Sequence, residues 1–524
     1  MKKAVIVILS ILLYTPMVLG ITSSYDSITV DTIECVQVAD DLDPLVDLSV
    51  TVEITQIRTL ETSDFGIRPI DKIDLISDPD FYVKVFINDE EFTSPIWYDT
   101  KYIYQPEWSV TTDVPDDVEE VTVTIQLWDS SPEGDRLCDL SDNYGDFDEN
   151  YDATLTYNLK TGHWDGDDQL ISRWGEVDQS GYGRLNGCDD NSIYQNNRDC
   201  ELWFDITQND FDGDGIPYWT ETEVFHTDPT VDNRGEDADE DDVPIEWEWK
   251  WGYMLNFDFQ NFTMKPDWQY HPLRWEDHRS IDDDNDGLDN LEEYLTSQWG
   301  SDPFRQDLFV ELDQMDAGPN GQPASIFPEG AKEILYTAYD KHNLVYHLDD
   351  GSWENTGSEI ISFDAVTTMD WHSTNNELDQ IYRNYFLHGN ESNWRRGVFH
   401  YGVLIYNCSM APGNAFGSDA YQISFKKLEA KAASPIFKSR DIVYASVYMH
   451  ECGHTLDLNH AGVDVQDSKY PWQVNFWKWG PYKSCMNYRY CYRLVDYSDG
   501  SRGMNDFDDW NYYVDLTYFE NRDY

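Results

Sequence analysis

The sequence predicts a multidomain chain: an N-terminal antiparallel β-sandwich, a region of repeated carboxylate loops, and a C-terminal α+β domain. Three observations carry this. From Leu48 to about Leu159, apolar and polar residues alternate in short runs, the period of half-buried strands. Between 161 and 303, one acidic twelve-residue pattern occurs twice in full form. From Phe304 on, strand-like runs alternate with helix-period runs, and one late helix carries closely spaced histidines.

The 524 residues suffice for several domains with their own cores. Lys and Arg number 35 against 101 Asp and Glu, a formal charge of −66. That charge argues against nucleic acid or an anionic membrane as a direct partner, and suits divalent cations or a high-salt habitat. Aromatics make up 15%, with 20 Trp, so the acidity is not that of a disordered tail. Met1-Lys2-Lys3 followed by apolar Ala4 to Leu19 reads as a secretory signal over 1–20, which places the protein outside the cell. No later stretch is apolar enough to span a membrane. Cys35, Cys138, Cys188, Cys200, Cys408, Cys452, Cys485 and Cys491 form an even set, which in a secreted chain predicts disulfides of open connectivity. Cys188 with Cys200 is the nearest local pairing. Asn261, Asn390 and Asn407 head glycosylation sequons.

The first segment, 21–160, opens with a lead-in to about residue 45. Val50, Val52, Ile54 and Ile57 then mark one strand, Phe81 to Val85 a second and Val121 to Ile125 a third. Asp74, Asp78 and Asp80 precede one strand, and Asp129, Asp135 and Asp139 follow another. On Ser77-Asp78-Pro79-Asp80-Phe81-Tyr82-Val83-Lys84-Val85 and Leu127-Trp128-Asp129, the segment resembles the calcium-binding β-sandwich of the synaptotagmin kind. Ser131 stands where that family has a further aspartate. A plain sandwich with solvated acidic loops is the competing reading.

Residues 160–200 read as a Gly-, Asp- and Asn-rich linker. Two loops follow with the pattern D-x-D-x-D-G-x5-E. Asp210, Asp212, Asp214, Ile216 and Glu221 supply one calcium set, and Asp282, Asp284, Asp286, Leu288 and Glu293 the other. The spacing is chemical. Carboxylates at positions one, three and five converge on one ion, Gly turns the chain, the position-seven carbonyl joins, and the last Glu closes the shell. A weaker copy has Asp237, Asp239, Asp241, Val243 and Glu248, with Asp242 where Gly belongs. Each full loop enters a short helical stretch that stops at Thr227-Asp228-Pro229 or Ser301-Asp302-Pro303. The loops resemble the calcium repeats of thrombospondin and related secreted proteins, so their expected role is structural.

The last segment, 304–524, begins with a buried strand over Asp307 to Asp313. Pro328 to Asn343 reads as an amphipathic helix, Val398 to Tyr406 as a strand and Gln422 to Phe425 as a short edge strand. Asp506 to Phe519 reads as a closing helix. Ser439 is the expected N-cap of a helix that carries His450, Glu451 and His454. Histidines four apart share a helix face and make half of a tetrahedral zinc site, with Glu451 beside them to take a proton. His460 follows, then a tight turn at Ser484-Cys485-Met486-Asn487-Tyr488. Trp472 to Trp479 is a dense aromatic loop, read as core packing or as a pocket wall.

The run H-E-x-x-H-x-x-D-x-x-H with a downstream Met-turn resembles the metzincin metallopeptidases, and the wording His-Glu-x-Gly-His-Thr-Leu resembles their pappalysin-like branch. The resemblance implies a metzincin-like α+β domain and a secreted, calcium-stabilised zinc endopeptidase that hydrolyses peptide bonds of a protein or peptide substrate through a zinc-activated water. It implies His450, His454 and His460 as zinc ligands, Glu451 as general base, Met486 as an apolar floor and Tyr488 as a group reaching the oxyanion. Asp457 stands where the family has Gly, at the turn that must swing His460 back to the metal. Asp464 or Asp467 is the alternative third ligand. The alternative function is a non-enzymatic secreted calcium-dependent binding or adhesion protein with a degenerate peptidase fold.

Overall fold

The computed structural model describes residues 48–59, 78–115, 118–132, 134–141, 151–167, 183–187, 198–258, 263–264, 270–340, 342, 344–353, 356–369, 376–434, 439–460 and 468–512. Residues 1–47, with the expected signal and lead-in, lie outside these, as do Asp74, Cys35, Cys188 and Asn261. The chain divides into two compact units. The first is Met1–Asp178, Tyr182–Asp239 and Pro244–Arg274; the second is Gln179–Gly181, Glu240–Val243 and Trp275–Tyr524.

Among the described residues, the two main sheets of the first unit use ten strands: β1 (Ser49–Thr59), β2 (Phe81–Ile87), β3 (Glu90–Thr93), β4 (Tyr102–Asp113), β5 (Glu120–Asp129), β6 (Arg136–Leu137), β7 (Ala153–Asn158), β8 (His163–Gly166), β9 (Gly183–Asn186) and β10 (Cys200–Gln208). One sheet runs β4-β1-β10-β9 and the other β3-β2-β5-β7-β8, with β6 beside β5. Every pairing in them is antiparallel. Alternation does the sorting. Val50, Val52 and Ile54 of β1 and Val121, Val123, Ile125 and Leu127 of β5 point inward, while their neighbours face out. The inward rows of both sheets meet in one apolar cluster, so the unit is a β-sandwich. Each such side chain contributes about 1.5–3 kcal/mol on burial.

The sandwich runs past the expected boundary at 160. The predicted linker supplies β8 and β9, and β10 pairs directly with β1. Cys200 to Phe204 shows no alternation because both its faces are covered. Glu201 within it is fully buried and held by Arg58 and by Arg184 at 2.6 Å, and a charge inside a strand masks the strand signal. Cys200 lies against Cys138, and the six described cysteines are buried thiols; the expected partner Cys188 lies outside the described residues. A smaller core of Ile216, Phe225, Ile245 and Trp249 joins the first acidic loop to α1 (Ile245–Asn256). A short ribbon of β11 (Phe257–Asp258) and β12 (Thr263–Met264) follows.

In the second unit, β13 (Asp307–Met315), β14 (Val345–Asp349), β15 (Ile360–Ile361), β16 (Phe399–Ile405), β17 (Gly413–Ala415) and β18 (Ala420–Ser424) form a mixed sheet. Its order is β14-β13-β16-β18-β17, with β15 also on β13. All pairings are parallel except β17 with β18. The expected edge over 422–425 is therefore an inner strand, and the edge is β17. Gly413-Asn414-Ala415 has no β-forming side chain and becomes a strand only by pairing with β18. β13 is buried throughout, as a strand covered on both faces must be. Its acidic residues are paired: Glu311 meets Arg395 at 2.7 Å, as does Asp349 of β14, and Asp313 accepts from the Tyr401 hydroxyl at 2.6 Å.

Four helices matter here: α2 (Asn290–Thr296), α3 (Glu329–Asp340), α4 (Phe425–Ala432) and α5 (Arg440–Thr455). Ser439 caps α5 as expected, its side chain accepting from the Asp441 amide. α3 and α5 approach closely at their starts, since a Cβ on Gly330 would meet the Asp441 carboxylate at 2.9 Å. The expected closing helix is present over Asp509–Tyr512, and 513–519 lie outside the described residues. The predicted region 161–303 is divided. The loop at 210–221 belongs to the first unit and the loop at 282–293 to the second. The weaker copy is split, with Asp237, Asp239 and Glu248 in the first and Asp241 and Val243 in the second.

Candidate metal centre

α5 presents His450 and His454 one turn apart, and the chain then reverses. Leu456 is the helix C-cap, and Asp457 follows in the left-handed region with φ of 58°. The Leu458 amide donates back to the Gly453 carbonyl at 2.8 Å, which closes a Schellman turn. Asp457 thus performs the reversal expected of glycine, at the modest cost an aspartate meets there. Asp457→Gly is expected to leave zinc affinity within about twofold and to raise stability by up to ~1 kcal/mol. Asp457→Val, β-branched at positive φ, is expected to lose zinc; equal zinc affinity in both variants, read by competition with a chelating dye, would remove the turn from the account.

The reversal brings His460 back to the helix. The ring nitrogens of His450, His454 and His460 lie within 4.8 Å of one another, with the Nε2 atoms of His450 and His460 3.3 Å apart. That is about the edge of a tetrahedron whose centre stands about 2.05 Å from each corner, the zinc–imidazole distance. The tautomers agree. His450 Nδ1 donates to the Cys485 carbonyl and His454 Nδ1 to the Leu458 carbonyl, each at 2.8 Å. A carbonyl only accepts, so the proton is on Nδ1 and the Nε2 lone pair faces inward. Burial and the neighbouring rings hold His450 well below the ordinary imidazole range and bring His460 to about 4. Three neutral imidazoles with converging lone pairs are a fitting donor set for zinc. His460→Ala is expected to weaken zinc binding at least about tenfold. Unchanged affinity would transfer the third position to Asp464 or Asp467, which lie outside the described residues.

Glu451 is buried, and burial pushes its carboxyl up to about 8, opposed by a hydrogen bond from the Ala415 backbone. The edge strand β17 passes directly over it. A Cβ on Gly413 would meet Glu451 Oε1 at 2.6 Å. Met486 is fully buried beneath the helix, and Gly453 has no side chain because Met486 Sδ and the Tyr497 hydroxyl would each stand 2.9 Å from its Cβ. Tyr488 lies 5.6 Å from the His450 ring and 5.0 Å from the His460 ring, and burial raises its hydroxyl pKa. The sequence marked Gly453 only as one letter of the His-Glu-x-Gly-His-Thr-Leu run and did not single out Gly413. Close approach of a strand or a turn leaves no signal in one sequence beyond the glycine itself.

The two full acidic loops are built alike. Gly215 donates to Asp210 at 2.9 Å and Gly287 to Asp282 at 3.1 Å. The position-seven amides of Ile216 and Leu288 donate to Asp214 at 2.8 Å and Asp286 at 2.6 Å, with both side chains buried as anchors. Position four takes positive φ in each, Gly213 at 85° and Asn285 at 62°. Burial and mutual repulsion raise Asp214 to about 6, Glu221 to about 8 and Asp284 to about 10. Asp286 and Glu293 are raised for the same reasons. Asp212 Oδ2, Asp282 Oδ1, Asp284 Oδ2 and Glu293 Oε1 are buried with no hydrogen-bond partner among the described residues. Orphaned, crowded carboxylate oxygens are what a calcium ion would satisfy.

The sandwich acids are arranged otherwise. Asp129 pairs with Arg136 at 2.5 Å and accepts from the Asp80 amide at 3.0 Å, and Asp135 accepts from the Tyr82 hydroxyl at 3.0 Å. No family model and no curated protein matches the chain. Its structural neighbours include C2 domains, the synaptotagmin-like sandwich. A C2 domain matches at 11% identity and a TM-score of 0.18, over 31% of this chain and 98% of that one. A domain of the same kind from plant Extended Synaptotagmin 1 matches at 11% identity and 0.19, over 32% and 97%. Human GIVD cytosolic phospholipase A2 matches at 12% identity and 0.18, over 31% of this chain and 16% of that one. Similarity of this size assigns no activity.

Proposed function

We propose that the chain is a secreted, calcium-stabilised zinc endopeptidase of the metzincin type, closest to the pappalysin-like branch, with an accessory calcium-type β-sandwich. The observation that carries this is the convergence of three anchored imidazoles beside a buried carboxylate. Zinc held by His450, His454 and His460 would supply a Lewis acid that polarises a peptide carbonyl and activates water. Glu451 takes the proton of the attacking water on its carboxylate and passes it to the leaving amine. The Tyr488 ring stands beside two of the ligands, and its hydroxyl would donate to the carbonyl oxygen as it gains charge. β17 offers a sheet edge along which an extended peptide can add as a further strand.

Unfolded casein is the test substrate. Cleavage is expected, is expected to stop with a zinc chelator, and is expected to return with zinc but not with calcium alone. Casein left intact by the zinc-loaded protein would count against the reading.

A further inference from the structure

The sequence from Ser468 to Val495 holds Lys469, Lys478, Lys483, Arg489 and Arg493 and no Asp or Glu, in a chain of formal charge −66. This segment is also where apolar surface is left in solvent. Tyr470 is 48% exposed, Trp472 78%, Val474 82% and Trp477 66%. Only Trp479 at the end of the aromatic loop packs against the core; Trp472, Val474 and Trp477 do not. The loop is nevertheless held in shape. Asn487 donates to the Trp479 carbonyl at 3.0 Å and the Tyr482 carbonyl at 2.9 Å, and Arg489 to the Phe476 carbonyl at 2.6 Å. The Tyr490 hydroxyl donates to the Gly480 carbonyl at 2.5 Å, and the Trp477 indole to the Pro471 carbonyl at 2.7 Å. Tyr470 and Trp472 stack face to face with centroids 4.6 Å apart.

The ties from Asn487, Arg489 and Tyr490 come from residues that closely follow Met486, so the loop is fixed to the floor of the metal centre. It is also continuous with the ligands. Lys469 Nζ stands 4.8 Å over the Tyr488 ring, and that ring is 5.0 Å from His460. Among the described residues neither Lys469 nor Lys478 is in an ion pair; they rest on the faces of Tyr488 and Trp479. In so acidic a protein, two exposed ammonium groups left beside aromatic rings are surface held for an incoming anion.

We propose that Lys469 to Trp479 is a substrate-docking surface beside the metal centre, and that its occupant is a peptide segment carrying acidic side chains beside an aromatic or large aliphatic one. As a substrate surface it rests on the peptidase reading of the same centre. The overall negative charge does not oppose it. At physiological salt, charges more than about 8 Å away are largely screened, so the nearby cations decide. The exposed rings supply apolar contact and accept the partner's side chain at low entropic cost.

The test uses the full chain as Glu451→Gln, loaded with zinc, and three fluorescent peptides identical except for Glu, Gln or Lys flanking one Phe. Fluorescence anisotropy is expected to give at least about tenfold tighter binding of the Glu peptide than the Lys peptide. That preference is expected to shrink when salt rises from about 50 to about 500 mM. Lys469→Glu with Lys478→Glu is expected to erase it, and Trp472→Ala with Trp477→Ala to weaken all three peptides alike. Equal binding of the three peptides overturns the proposal. So does lysine-dependent capture of phosphatidylserine vesicles with no peptide preference, which would assign the patch to membranes. Selective binding by a protein that cleaves no casein keeps the docking surface and removes the peptidase. Casein cleavage without charge preference does the reverse.

Discussion

Glu451→Gln is expected to lower kcat/KM on a protein substrate by about 10²- to 10⁴-fold while zinc content stays at the wild-type value. The substitution keeps the shape of the side chain and removes only its capacity to accept a proton. It leaves the metal donors untouched, because the Nδ1 atoms of His450 and His454 are anchored to backbone carbonyls that do not involve residue 451. Retained hydrolysis would remove Glu451 as the base, and zinc lost along with activity would make it a structural residue of the helix.

Stripping calcium is expected to lower the melting temperature by about 5–10 °C. An ion at about a hundred times its dissociation constant stabilises the folded state by about 2.7 kcal/mol, and a unit of this size moves about 2–4 °C per kcal/mol. The larger share is expected from the loop at 282–293. Asp286 accepts from the Asp307 amide at 2.8 Å, Gln306 donates to the Asp284 carbonyl at 3.1 Å, and Asp307 in turn pairs with His347 of β14 at 2.5 Å. That loop is therefore continuous with the first two strands of the sheet beside the metal centre. Asp286→Asn is expected to lower the second transition more than Asp214→Asn lowers the first. A melting curve indifferent to calcium, followed by calorimetry, would reduce both loops to acidic surface.

Much of this was legible in residue order because it rests on local rules. Alternation marked β1, β2 and β5. The position-six glycines and flanking aspartates marked both loops, which the structure builds with the same hydrogen bonds. The four-residue spacing of His450 and His454 placed them on one helix face. The return of His460 was harder to read because Asp457 replaces glycine, and a positive φ is a property of the fold and not of the letter. β9 and β10 were hidden in a polar stretch because Glu201 is buried against Arg58 and Arg184, which breaks the apolar signature of a strand. The edge strand β17 was hidden for the opposite reason: it is three residues that exist as a strand only through β18. The aromatic loop was left open in sequence between core packing and a pocket wall, because composition reports hydrophobicity, whereas exposure depends on what packs above it.

The most direct test of the central claim is the zinc content of the purified protein, measured by elemental analysis beside His454→Ala. The account predicts one zinc per chain in the wild type and close to none in the variant. A wild type without zinc, or a variant that keeps it, would contradict a centre built from His450, His454 and His460 and leave a calcium-binding protein without a catalytic metal.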